Sequence, residues 1–106
     1  MIPFDQFKQL EIKIAQVKAV RELAGADKLY CLTIDVGGQE KQIVAGIKLF
    51  YKPEDLLNRK IVVINNLEPA VIRGEKSEAM LLAASDEKGI SVLIPDREVA
   101  VGSPVK

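Results

Sequence analysis

Tyr51-Lys52-Pro53-Glu54-Asp55-Leu56-Leu57-Asn58, followed closely by Lys60-Ile61-Val62-Val63-Ile64-Asn65, is the stretch on which the fold turns. Its first half reads as a short helix. Pro53 suits a first helical turn, where its missing N–H costs nothing, and Glu54 and Asp55 sit at the positive end of the helix dipole. Asn58 tolerates the left-handed backbone that commonly ends a helix. The second half reads as a strand, and its unbroken Ile61-Val62-Val63-Ile64 run predicts burial on both faces.

Strand signals dominate on either side. In residues 10–20 the apolar Leu10, Ile12 and Ile14 alternate with Glu11 and Lys13; the phase shifts at Ala15 and resumes at Val17, as a bulged or strongly coiled strand requires. Residues 29–36 form a second strand, Gly37-Gly38 a two-residue hairpin turn, and residues 41–47 a third strand. Beyond the fourth strand lies a loop rich in proline, glycine and charge. A fifth strand over 79–84, a short sixth over 89–94 and a turn-rich tail from Pro95 complete the chain. Strand count alone fits an SH3-like barrel equally well. The helix between the third and fourth strands selects the all-β OB-fold, a five-stranded Greek-key barrel, here with a C-terminal extension. Ligands of that fold bind the face of strands 2 and 3 and the loops joining strands 1–2 and 4–5. In this chain those loops are residues 21–28 and 66–77.

Composition bounds the rest. With 106 residues, 48% hydrophobic and 28% charged, the chain is expected to form a single domain over residues 1–106. No apolar run approaches the roughly 18 residues that cross a bilayer, and the N-terminus lacks the basic region of a signal peptide. The lone Cys31 forms no internal disulfide, so a cytoplasmic location is expected. The absence of histidine removes the commonest general base and most zinc sites. The expectation is therefore a non-enzyme without metal or cofactor. Acidic pairs such as Glu54/Asp55 and Asp86/Glu87 have no companion ligands and read as solvated.

Net charge is zero, from 15 basic and 15 acidic residues, but it is unevenly spread. Residues 41–76 hold seven Lys/Arg against four Asp/Glu, a local +3, while residues 1–40 are −1 and residues 77–106 are −2. Within the basic segment, Arg73 and Lys76 flank Gly74, and Ser77 adds a hydroxyl. A guanidinium fork, an ammonium and glycine-exposed N–H groups together suit a phosphate. On spacing alone an ordinary charged turn is the simpler reading. Asn66 could read a base edge or tie down its own backbone. Lys28, Lys41 and Gln42 could add contacts on one side of the barrel. Met80 reads first as core, and Phe50 and Tyr51 as packing for the helix.

Several segments together resemble the tRNA-binding domain of methionyl-tRNA synthetases, found at their C-terminus or free-standing as a β subunit. They are Asn66-Leu67-Glu68-Pro69, Ile72-Arg73-Gly74-Glu75-Lys76-Ser77-Glu78-Ala79-Met80, Leu10-Glu11-Ile12-Lys13-Ile14-Ala15, Ala26-Asp27-Lys28-Leu29 and Lys41-Gln42-Ile43-Val44-Ala45-Gly46-Ile47. Departures are Lys13 and Lys41 where arginine is frequent, Ala45 for serine and Ala79 for glycine. The resemblance implies a non-catalytic homodimer of OB-folds that grips the outer corner of tRNA by shape and phosphate contacts, working with a synthetase catalytic subunit. It assigns RNA binding to Lys28, Asn66, Arg73, Lys76, Ser77 and Met80, raising Met80 to a surface contact, with Lys41 and Gln42 as further contacts. Residues 4–9 and the tail from Ile94 are the candidate dimer contacts. Three other readings belong beside this one: a peptide-binding export chaperone of the same fold, the equivalent domain of phenylalanyl-tRNA synthetase, and a bare tether for a synthetase.

Overall fold

The computed structural model describes all residues, 1–106. A short helix α1 (Phe4–Lys8) precedes a long strand β1 (Ile12–Glu22). The hairpin β2 (Tyr30–Asp35) and β3 (Glu40–Ala45) follows, then helix α2 (Pro53–Leu56) and β4 (Lys60–Ile64). Short strands complete the chain: β5 (Ala70–Ile72), β6 (Glu75–Ser77), β7 (Met80–Leu81), β8 (Ala83–Asp86), β9 (Gly89–Val92) and β10 (Pro104–Val105).

The main sheet runs β3-β2-β1-β4-β7, with β10 added to the start of β1. Strand β1 is long enough to serve two neighbours: its first half pairs with β4 and its second half with β2. That double pairing coils the sheet into a nearly closed OB-like barrel, as the helix position predicts. One register slip allows it, between Val17 and Ala19, so the bulge falls at Lys18 rather than at Ala15. The apparent phase change at Ala15 has another cause. Ala15 faces the core, while Ile14 is buried on the opposite side beneath the tail, where Ser103 O accepts its N–H and its own O accepts the N–H of Gly102.

Fourteen buried residues fill the barrel, among them the fully enclosed Val17, Leu32, Ile34, Ile43, Ile61 and Val63. Helix α2 is shorter than the sequence suggests, but its signals act as read. Asp55 accepts a bond from the Lys52 N–H (3.0 Å), Leu56 plugs the barrel end with no exposed surface, and Asn58 takes φ +67°. The left-handed turn at Asn58 aims its N–H at Val17 O (2.8 Å). Tyr51 packs on the core as expected, its hydroxyl accepting from Val92 N–H and its carbonyl accepting from Tyr30 OH. Phe50 stays half exposed, with its ring against Gly89.

Three further expectations need correction. Strand β4 is not buried on both faces: Ile61 and Val63 enter the core, while Val62 and Ile64 are only partly covered on the outside. The fifth strand breaks at Leu82, which donates to Val62 O of β4 and accepts from Leu93, so β7 stays in the barrel and β8 leaves it to pair with β9. The loop over 66–77 is itself a hairpin, β5 paired with β6.

Candidate nucleic-acid interface

The pairs Cys31↔Val44, Thr33↔Gln42 and Asp35↔Glu40 form the outer row of β2 and β3, because Leu32, Ile34, Ile43 and Ala45 turn inward. Two elements flank this face. On one side the loop between β1 and β2 folds back over it. Leu23 and Ala26 bury themselves there with Cys31, against Leu29 and Val44, in a small cluster separate from the main core. Burial is the chief reason the Cys31 thiol is pushed up from its ordinary value, so the group is a packed neutral thiol at neutral pH.

On the other side stands the β5–β6 hairpin, and side chains rather than a strand ladder join it to β3. The Gln42 amide donates to Lys76 O (3.0 Å), Ser77 Oγ accepts the Val44 N–H (3.0 Å), and Glu78 Oε1 accepts the Gln42 N–H (3.0 Å). The Glu78 N–H returns a bond to Gln42 O (2.8 Å). Arg21, at the end of β1, donates to Glu75 Oε1 and to Cys31 Sγ (3.2 Å), bridging the hairpin to the face beneath it. The bond to Glu75 is the main reason the Arg21 guanidinium holds its proton more tightly than usual.

The hairpin tip is Arg73-Gly74, both left-handed at φ +53° and +79°. Two consecutive positive values make a primed turn, whose twist matches the strands it joins. Arg73 therefore projects from the end of a tied ribbon. Lys76 is exposed on that ribbon opposite Val71, which is itself 76% exposed. Lys28 is exposed in the covering loop. None of these three cations takes part in an ion pair, whereas Lys13, Arg21, Lys48 and Lys60 all do. Met80 is 48% exposed beside Val44 and Ala79, on the surface, as the family resemblance and not the hydrophobic pattern implied.

The remaining candidates sit differently. Ser77 is 7% exposed and engaged with Val44, so its hydroxyl faces inward. Gln42 is half buried in the ties just described. Lys41 points to the barrel end, donating to Asn65 O (2.8 Å). Asn66 lies away from the hairpin tip with both ends of its amide engaged: Oδ1 accepts the Glu11 N–H and Nδ2 donates to Gln9 O, each at 2.8 Å. Arg21 and Glu75 escape a sequence reading because their sequence separation of 54 residues hides the bridge. Glu11 escapes it too. The Asn65 amide first, and Lys13 next, hold its carboxylate below the ordinary range.

Barrel, covering loop and tied hairpin define the chain as a small OB-like β-barrel whose β2–β3 face is flanked by cations outside any ion pair. The family described as "Putative tRNA binding domain" matches residues 12–104, and the chain belongs to it. It is 43% identical over 105 residues to the methionine–tRNA ligase of Pyrococcus furiosus, covering 99% of this chain and 14% of that enzyme. The chain thus spans about one seventh of the length of such relatives. Among solved structures it resembles a MetRS-related protein from Pyrococcus horikoshii, with TM-score 0.93, 32% identity and coverage of 100% of this chain and 98% of the other. The chaperone CsaA from Bacillus anthracis is similar as well, with TM-score 0.91, 30% identity and coverage of 100% and 99%.

Proposed function

We propose that residues 1–106 act as one non-catalytic unit that binds tRNA by its shape, as an accessory β subunit or C-terminal domain of a methionyl-tRNA synthetase. The observation that carries this reading is the set of unpaired cations, Lys28, Arg73 and Lys76, around a face that also exposes Met80, in a member of a tRNA-binding family. Cations on a tied ribbon suit phosphates at fixed separations, and Met80 offers a soft apolar surface to a ribose or an unstacked base. Within the candidate set, Lys28, Arg73, Lys76 and Met80 make the contacts. Ser77, Gln42, Lys41 and Asn66 serve by holding the hairpin, the barrel end and the N-terminal segment in place.

In the cytoplasm such a unit raises the local concentration of tRNA at a synthetase by adding a second contact, and a homodimer would double the contacts available. Candidate dimer surfaces are α1 and the tail, where Phe4 (70% exposed) and Ile94 (52%) leave apolar area uncovered.

The test is binding of bulk tRNA against an unstructured RNA of equal length, with Arg73→Ala and Met80→Ala alongside. The expected result is tighter binding of tRNA, weakened about tenfold by each substitution, a loss of about 1.4 kcal/mol. Equal binding of the two RNAs, or none at moderate salt, would leave the tether or the peptide-binding chaperone as the better reading.

A further inference from the structure

The barrel has a seam between β3 and the β7–β8 edge, and only half of it is closed. Its lower half is held by the bonds of Gln42 and Val44 to Lys76, Ser77 and Glu78. Above Val44 the two edges part, and β3 pairs with neither β7 nor β8. The direction of each backbone group follows from the alternation of antiparallel ladders, in which every second residue turns its N–H and C=O away from its partner. Val36 N–H bonds Gln39 O, which fixes the parity of the β2–β3 hairpin: residues 41, 43 and 45 face β2, and residues 42, 44 and 46 face the seam. Gly46 accordingly has no backbone partner for its N–H or its C=O.

The same parity holds across the seam. Leu82 bonds β4 and Leu93, so residues 82, 84 and 86 face β9, and residues 81, 83 and 85 face the seam. Both edges line one cleft of about 270 Å³, bounded by Val44, Gly46, Met80, Leu81, Ala83 and Ser85. No charged side chain lines it. Nor is the β8 edge guarded in the way exposed edges usually are. Its seam-facing residues are Ala83 and Ser85, exposed, with no lysine, proline or bulge among them.

We infer that this open seam accepts an extended, uncharged polypeptide segment from a partner protein, which adds as a strand along the β8 edge and carries the sheet toward β3. Alternating free N–H and C=O groups on a pleated edge match an extended peptide backbone, and small apolar neighbours leave room for its side chains. A phosphate backbone is the poorer occupant, since no cation lines the cleft to neutralise it. The site borders the tRNA reading at Met80, which both would touch, but the cations of that reading lie on the hairpin and covering loop.

The test uses the full chain and a fluorescein-labelled octapeptide of alternating Val and Thr, followed by anisotropy and by ¹⁵N–¹H spectra. Binding should perturb the amides of Gly46, Ala83 and Ser85 and slow their hydrogen exchange. Ala83→Lys places a charge in the cleft without altering the backbone and should weaken the peptide at least tenfold while leaving tRNA affinity intact. Ala83→Pro removes the seam-facing N–H, which the β8–β9 ladder does not use, and should do the same. Three results would each overturn the inference: no peptide binding at about 1 mM, binding indifferent to both substitutions, or equal displacement by an uncharged octapeptide interrupted by proline. Displacement by oligo(U) at a similar concentration would assign the cleft to RNA instead.

Discussion

Ser77 and Met80 lie three positions apart, and a chemical reading of each taken alone errs in opposite directions. The serine hydroxyl looks available and the methionine looks like filler, yet the first is 7% exposed and the second 48%. What separates them is the geometry of the closure, in which Ser77 Oγ substitutes for a missing strand partner of Val44 N–H. Ser77→Ala leaves that N–H unpaired in a partly buried place. It is expected to cost about 1–3 kcal/mol in urea denaturation, and any loss of RNA binding should follow unfolding rather than precede it. Met80→Ala should show the reverse pattern, weak binding at nearly unchanged stability. Glu11 offers a second check at this scale. Its folded-state pKa lies below the unfolded one, chiefly through the Asn65 amide, so between the two values the unfolded chain binds more protons. The stabilisation is therefore complete above the ordinary carboxylate range and fades as pH falls through the depressed folded value. Melting temperatures of the wild type and Glu11→Gln should converge on acidification; a gap that stays constant would mean the carboxylate charge is not what Asn65 and Lys13 recognise.

Elements governed by local rules were legible, and those governed by distant partners were not. Pro53, Glu54, Asp55 and Asn58 announced α2, and Gly37-Gly38 announced the β2–β3 turn, because proline, acidic and positive-φ preferences act within a few residues. The β5–β6 hairpin leaves only the Arg73-Gly74 turn as a local mark, because three-residue strands carry too little alternation to declare themselves. The break at Leu82 depends on where β9 docks and leaves no local mark. Gly37 and Gly38 allow the two kinds of constraint to be compared within one turn. Both have positive φ, +107° and +88°, and Asp35 Oδ1 accepts both N–H groups. A Cβ on Gly38 meets open space, whereas one on Gly37 would come within 2.9 Å of the Gly102 Cα, where the tail crosses the hairpin. Gly38→Ala is expected to cost about 1 kcal/mol from backbone strain alone. Gly37→Ala should cost clearly more and loosen the tail, seen as faster amide exchange at Ile14 and Gly102. Equal effects of the two substitutions would show that the tail does not bear on the turn.

At the scale of the molecule, a net charge of zero concealed the distribution that matters, because acidic residues of both ends offset the basic middle. Folding sorts these charges by pairing: four of the 15 cations are taken up in ion pairs, and of the eleven outside them Lys28, Arg73 and Lys76 flank the β2–β3 face. A protein without net charge exerts little long-range pull on a polyanion, so its attraction should be confined to the phosphates these side chains touch. Each phosphate neutralised on a nucleic acid contributes a slope of roughly −0.7 to −0.9 in a plot of log affinity against log salt. Three contacts then predict a slope of about −2 to −3 for one copy of the chain on one tRNA. Lys76→Ala should reduce its magnitude by about one contact's worth, while Lys41→Ala, which removes a cation already bonded to Asn65 O, should leave the slope alone and lower stability. If two copies of the chain embrace one tRNA, the slope should approach twice the single-copy value and fall back when the dimer is diluted apart. A salt-independent affinity would remove the phosphates from the account and with them the role given to the hairpin tip.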